Sequence, residues 1–362
     1  MGKNNIGPFA YENWKMAIAG AQLQTVQEYP LFTDAHIVGE VREGYGPYQL
    51  LNTVPIPPDA QRLVPAIILR VESYLDYEPT PMDETDTGRY HGGLLSDEIA
   101  ALVSLCLGTR LRAGGISRYF EPDGDPRCRP RGPLAHLEPV LTKTARRSPT
   151  LPRALGQHSL AETGLIGKLP TLSPPEAIAL VRAARLYQDA MWIGESAPEL
   201  SWIMFVSTVE IAASHWHASQ HTGVEILAEF KPELVEQLEA VGGEKTVRAV
   251  ADGFAGYLRA AKKFRDFILA FMPEPPKERP KHARISWKPR DMKQAMVKIY
   301  DWRSRALHGG TPFPQPMCEP PMHLEEKPPG LATKTRGAVW LAKDTPMLLH
   351  TFEYVVQKAL LK

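Results

Sequence analysis

Cysteine is scarce in this chain, with Cys106, Cys128 and Cys318 far apart in sequence. That spacing excludes an even disulfide framework and a paired metal-ligand motif, and a reducing, cytoplasmic setting is expected. Long apolar runs are missing too. No stretch approaches the ~20 residues of a membrane helix, and Met1-Gly-Lys-Asn-Asn-Ile6 has no basic segment leading into an apolar one. A soluble protein without membrane contact is expected. Neither sign of charge dominates: 42 Lys+Arg face 41 Asp+Glu, a net charge of +1. Any contact with nucleic acid must therefore come from a local patch. No internal repeat is present.

Proline is abundant instead, with 34 residues among 362. Its clusters, at residues 122–175 and 273–329, read as joints. The first holds Pro122-Asp-Gly-Asp-Pro-Arg-Cys-Arg-Pro-Arg-Gly-Pro133 and the basic pair Arg146-Arg147. Little periodicity accompanies them, so a connector is expected over 121–172, between a mixed α/β domain at 1–120 and a helical domain at 173–362. Within the first domain, residues 62–75 are rich in β-branched and apolar side chains and predict a strand. Residues 96–108 predict a short helix, with Ser96 as its cap and Asp97 and Glu98 in its first turn.

Beyond residue 170 the pattern turns helical. Ser173-Pro-Pro-Glu176 and Ser196-Ala-Pro-Glu199 have capping-box spacing with proline early in the helix. The second box opens a run, residues 200–213, that is apolar on nearly every face and should be central. Further helices are expected at 225–241 and 244–271, separated by Gly242-Gly243, then from Pro289 and over 346–361. The helix from Pro289 places Met292, Met296, Ile299, Arg303 and Leu307 on one face. It ends in Arg303-Ser-Arg-Ala-Leu-His308-Gly-Gly310. A permanent cation and an imidazole that exchanges protons near neutrality thus stand near a helix end stopped by glycine, an arrangement suited to phosphate chemistry.

The segment Ile299-Tyr-Asp-Trp-Arg-Ser-Arg-Ala-Leu-His-Gly-Gly310 resembles the signature of the HEPN superfamily, in particular its Apea-like branch. Residues 184–193 and 198–211 are similar to that branch's first two helices, in the same order, so the resemblance covers the C-terminal half. It implies a mainly α protein: a C-terminal HEPN-like antiparallel helical bundle beside the smaller mixed α/β N-terminal domain. It also implies a metal-independent endoribonuclease, without cofactor, acting in a stress, toxin or antiviral defence role. Arg303 and His308 would be its catalytic pair, completed across a homodimer. An antitoxin or a defence partner protein is a further expected partner. The alternative is a catalytically inactive HEPN-like module that binds RNA, a nucleotide or a protein. A third possibility is a scaffold whose proline-rich segments recruit partners.

Other residues qualify on their chemistry. Glu210 lies within the most apolar helix, where an unpaired carboxylate is costly, so it needs a cationic or hydrogen-bonding partner and is a candidate to orient Arg303 or His308. Lys281, Arg284, Trp287, Lys288 and Arg290 interleave cations with an aromatic ring just before the signature helix, which suits RNA phosphates and a stacked base. Ser304 receives no catalytic role. His215, His217 and His221 are spaced for metal, yet a helix C-terminus favours histidine by itself, and no metal is expected. Arg89-Tyr-His-Gly-Gly93 looks like the signature's end but lacks a helix before it and reads as a turn.

Overall fold

A computed structural model describes residues 6–53, 65–75, 85, 87–122, 148–216 and 222–362. It is mixed but rich in helix, and it divides into two compact units, Met1–Phe205 and Val206–Leu360.

The first unit is built on an antiparallel sheet. After helix α1 (Phe9–Ile18) come β1 (Thr25–Thr33), β2 (His36–Val38), β3 (Tyr48–Asn52) and β4 (Pro65–Ser73). Helix α2 (Leu95–Leu107) precedes β5 (Leu111–Ala113) and β6 (Arg118–Phe120). The strand order is β3-β4-β1-β5, with β6 also on β1, and Tyr29 pairs with Leu69 and Leu31 with Ile67. Strand β4 shows the alternation expected of a half-buried strand: Ile67, Leu69 and Val71 are buried while Ile68 and Arg70 are less so. The strand expected at 62–75 is therefore present as β4. Helix α2 is buried on nearly every side. It begins at Leu95 rather than with Ser96 as its cap; Asp97 reaches back to accept from Leu94 N–H at 3.1 Å. Its stop is Gly108, at φ 67°, a left-handed turn open to glycine without strain. Arg89–Gly93 is a turn whose His91 is buried. Arg182 Nη2 donates to His91 Nδ1 at 3.2 Å, so Nε2 carries the ring proton and donates to the Ile6 carbonyl at 2.8 Å.

The same unit continues through β7 (Gln157–Ser159), which pairs with β2, α3 (Leu165–Lys168) and α4 (Pro174–Ile193). The first capping box closes as expected, with Glu176 Oε2 accepting from Ser173 N–H and from its hydroxyl, both at 2.7 Å. The second does not. Ser196 bonds back to the Ile193 carbonyl through its N–H and its hydroxyl, and Ala197 precedes α5 (Pro198–Trp216). Glu195 is buried and accepts from Thr150 and Leu151 N–H, each at 2.9 Å. Helix α4 also belongs to this unit: Gln188 Nε2 donates to the Leu111 carbonyl at 2.6 Å, Arg112 pairs with Asp189, and Arg112 stacks on Trp192. For that reason the division between compact units falls inside α5 and not near residue 170, where proline content placed it. Residues 123–147 of the expected connector, with Cys128 and Arg146-Arg147, lie outside the described residues.

The second unit contains the rest of α5, then α6 (Gly223–Phe230), α7 (Pro232–Ala270) and α8 (Pro289–Gly309). A hairpin, β8 (Ala332–Thr335) and β9 (Ala338–Leu341), precedes α9 (Leu349–Leu360). The single helix expected at 225–241 is two, because Lys231 is non-helical (φ −141°, ψ 60°) and Pro232 starts a new helix where its missing N–H costs nothing. Gly243 interrupts α7 at φ 65°, as its glycine pair suggested. Val206, Val209, Phe264, Ile268, Met296, Ile299, Phe352 and Val356 form the core; the Phe264 ring lies 5.3 Å from that of Tyr300. The second proline cluster is packed structure, not a joint. Phe313, Met317 and Cys318 are buried, and the buried Glu326 carboxylate accepts from Arg279 Nε at 2.7 Å, from Arg279 Nη2 at 2.6 Å and from Ile285 N–H at 2.8 Å.

Candidate functional site

Met292, Met296 and Ile299 are buried along α8, and Arg303 prolongs their stripe with a charged head where the apolar face ends. Leu307, one turn on, is 48% exposed. Across from Arg303 stands Glu210 of α5. Arg303 Nη2 donates to Glu210 Oε2 at 2.6 Å, and the Tyr300 hydroxyl donates to Oε1 at 2.7 Å. Both carboxylate oxygens are thereby used. The guanidinium also lies over the Tyr300 ring, 5.6 Å from its centroid. The ion pair is largely shielded, with 18% and 19% of the two side chains exposed. Arg303 Nε is buried and makes no hydrogen bond among the described residues.

His308 sits elsewhere on the helix. Helix α8 stays regular through Gly309, and Gly310 takes the left-handed turn at φ 62°. His308 lies five positions after Arg303, about 140° around the helix axis and about 7.5 Å along it. The His308 side chain is exposed, and no hydrogen bond or ion pair joins it to Arg303 or to another described residue. The structure thus brings Glu210, Tyr300 and Arg303 together and leaves His308 at the surface. Nearer to His308 is Arg305, three residues before it and about 60° away around the helix. Its guanidinium stacks on Trp302 at 4.8 Å, with Trp340 of the hairpin edge-on to Trp302 at 5.6 Å. Arg305 is exposed and has no carboxylate partner among the described residues.

Comparison of the chain with family models, with curated proteins and with solved structures gives no match. The chemistry therefore rests on the geometry of these side chains.

The basic segment lies at the other end of α8. Lys281, Arg284, Lys288 and Arg290 are exposed, and Trp287 is half-buried, 6.0 Å from the Tyr354 ring. Arg284 Nε is spent on the Pro280 carbonyl. Closeness in sequence does not carry this segment to Arg303 or His308, which are about 20–30 Å further along the helix axis. Among the described residues no group of three His, Cys, Asp or Glu could hold a metal; His215 is exposed, and His217 and His221 lie outside the described residues. Ser304 is half-buried.

Sequence reasoning missed Tyr300 and Arg305. Their signal was helical spacing, since Tyr300 stands three residues before Arg303 and Arg305 three before His308, and such pairs are neighbours on a helix surface.

Proposed function

We propose that the second unit is a HEPN-like helical module and that the protein is a metal-independent endoribonuclease that cleaves RNA to 2′,3′-cyclic phosphate and 5′-hydroxyl ends. The observation carrying this assignment is the fixed arginine: Glu210 accepts from Arg303 at 2.6 Å and is itself held by the Tyr300 hydroxyl at 2.7 Å, with the exposed histidine five positions further along the helix. In the proposed reaction His308 takes the proton of the 2′-hydroxyl, whose oxygen attacks the adjacent phosphorus. The bond from phosphorus to the 5′-oxygen breaks, and that oxygen leaves with a proton. Charge growing on the phosphoryl oxygens requires a cation held in place beforehand, the role given to Arg303. One histidine cannot act as base and acid at once on opposite sides of the phosphate. A homodimer that presents a second His308 supplies the missing group, and the resemblance to the Apea-like HEPN branch supports a stress, toxin or antiviral defence role.

Purified protein incubated with total RNA in EDTA tests the assignment. Cyclic-phosphate ends that disappear in His308→Ala support it; a clean monomer by sedimentation, with and without RNA, removes the composite site.

A specific observation favours a second assignment, an inactive module that binds RNA, a nucleotide or a protein. Within one chain Arg303 and His308 point about 140° apart, and Glu210 already neutralises the arginine. RNA retention without new ends would select it.

A further inference from the structure

The start of α8 carries a feature that the chemistry proposed for Arg303 and His308 does not use. A cavity of about 280 Å³ opens there, with Met292 and Met347, both fully buried, among its walls. Lys327, Lys343, Asp291 and Gln294 also line it. None of these four side chains makes a hydrogen bond or ion pair among the described residues.

The contrast with their sequence neighbours is what makes this informative. Glu326, beside Lys327, is held by Arg279 at 2.6 Å; Asp344, beside Lys343, pairs with Lys298 at 3.0 Å; Lys293, beside Gln294, pairs with Glu229 at 2.9 Å. These three neighbours, none of which lines the cavity, are matched within the fold, while Lys327, Lys343 and Asp291, which line it, are unmatched. Two ammonium groups against one carboxylate leave the cavity cationic, and the α8 N-terminus, where no side-chain cap is made, adds to that potential.

The lining selects a ligand. Paired lysines call for an anion, and phosphate accepts from both. Aspartate and glutamine side by side suit the exocyclic amino group and ring nitrogen of adenine, or the amino group of cytosine. Ala295, Ala342 and Pro346, partly exposed and backed by the two buried methionines, give the cavity an apolar wall for the face of a base. The volume falls just below the ~300–1,000 Å³ of drug-sized sites, which limits the occupant to about one nucleotide. We propose that this cavity binds a nucleoside monophosphate with an amino-substituted base, its phosphate on Lys327 and Lys343, its base against Ala295, Ala342 and Pro346 and its amino group on Asp291. The same unit could arrive free or as one nucleotide of an RNA strand.

Calorimetric titration of the full chain with AMP, CMP, UMP and inorganic phosphate tests this. AMP and CMP should bind more tightly than UMP and phosphate. Lys327→Gln/Lys343→Gln should weaken AMP by about tenfold or more, the size of a lost charge-assisted contact, and Asp291→Asn should erase the preference over UMP. Should the double variant melt early, Lys343→Gln alone serves, since that side chain is exposed. A short oligoadenylate that displaces AMP identifies RNA as the source; failure to displace it identifies the free nucleotide. His308→Ala should bind AMP like wild type, which separates this site from cleavage. Absence of heat with every nucleotide at about 1 mM, a double variant that binds AMP as wild type does, or phosphate binding as tightly as AMP would each overturn the assignment.

Discussion

Glu210 and Arg303, far apart in sequence, meet in a 2.6 Å ion pair that Tyr300 completes from the other carboxylate oxygen. Removing one member leaves the other largely shielded from water and unmatched. Glu210→Ala is therefore expected to cost about 1–3 kcal/mol of stability, the penalty of an orphaned hydrogen-bonding group, and Glu210→Gln less because the amide can still accept from Tyr300. A double-mutant cycle of Glu210→Gln with Arg303→Met reads the coupling directly. A coupling near zero in chemical denaturation would mean the pair contributes nothing to the fold, while retained stability with lost cleavage would assign Glu210 to positioning alone.

Arginine and histidine should fail differently. Arg303→Lys keeps the charge but loses the planar fork that addresses Glu210 and a phosphate together, so it should lower both the melting temperature and the cleavage rate. His308→Gln touches nothing in the fold and should melt like wild type. Loss of an oxyanion contact is worth ~10²–10³ in rate and loss of general acid-base catalysis ~10²–10⁴. If both variants cleave at the wild-type rate, the motif is a helix end and no more.

Arg305 has the exposure and the missing counter-charge that Arg303 lacks. Pre-ordered on Trp302, it can meet a backbone phosphate near His308 with little loss of side-chain freedom. Arg305→Gln should weaken single-stranded RNA binding, and the slope of log affinity against log salt should shrink by roughly 0.7, the share of one phosphate contact. An unchanged slope in fluorescence anisotropy would leave the guanidinium as part of the indole stack only.

Truncation separates two views of the domain plan. A fragment starting at residue 170 carries α4 without α2, which packs against it, or β5, so Gln188 loses the Leu111 carbonyl and Asp189 and Trp192 lose Arg112. Such a fragment should aggregate or melt early, whereas a connector between independent domains would leave it as stable as the full chain.

Local signals were legible wherever one short segment settles the structure. Ser173 and Glu176 close their own box, Pro289 starts α8, and Gly243 breaks α7. Burial logic likewise demanded a partner for Glu210. What could not be read depends on distant packing. Strands β1 and β4 pair through a register that no local pattern fixes, and proline content alone does not distinguish a joint from a packed loop. The Arg279 and Glu326 clamp and the burial of Phe313, Met317 and Cys318 show that the second proline cluster is held. The direction of His308 required the helix to continue regularly past it, and glycine after histidine was consistent with either outcome.

Glu98 provides a test in the first unit. It is wholly buried in α2, and its Oε2 accepts from Ala10 N–H at 2.7 Å, at the start of α1, where no side-chain cap comes from Pro8. Burial pushes this carboxyl up to about 8, with Asp97 adding to the rise, against the opposing pull of the Ala10 and Phe9 N–H groups and of Arg185. Its Oε1, buried and without a hydrogen-bond partner, is free to hold the proton. An unfolded glutamate titrates near ~4.3. The folded carboxyl therefore keeps its proton to higher pH than the unfolded one, and folding takes up a proton between the two values. Its stabilisation is complete below the unfolded value and is lost as pH rises through the folded value, at up to about 1.4 kcal/mol per pH unit. Urea midpoints of the wild type should thus fall between about pH 5 and 8 and level off above. Glu98→Gln keeps an oxygen for the Ala10 N–H and has no proton to lose, so its midpoints should decline less over that window and exceed those of wild type at its alkaline end. A wild-type profile that parallels the variant's would mean that Glu98 is ionised in the fold, with Arg185 and the α1 amides sufficient to hold the charge.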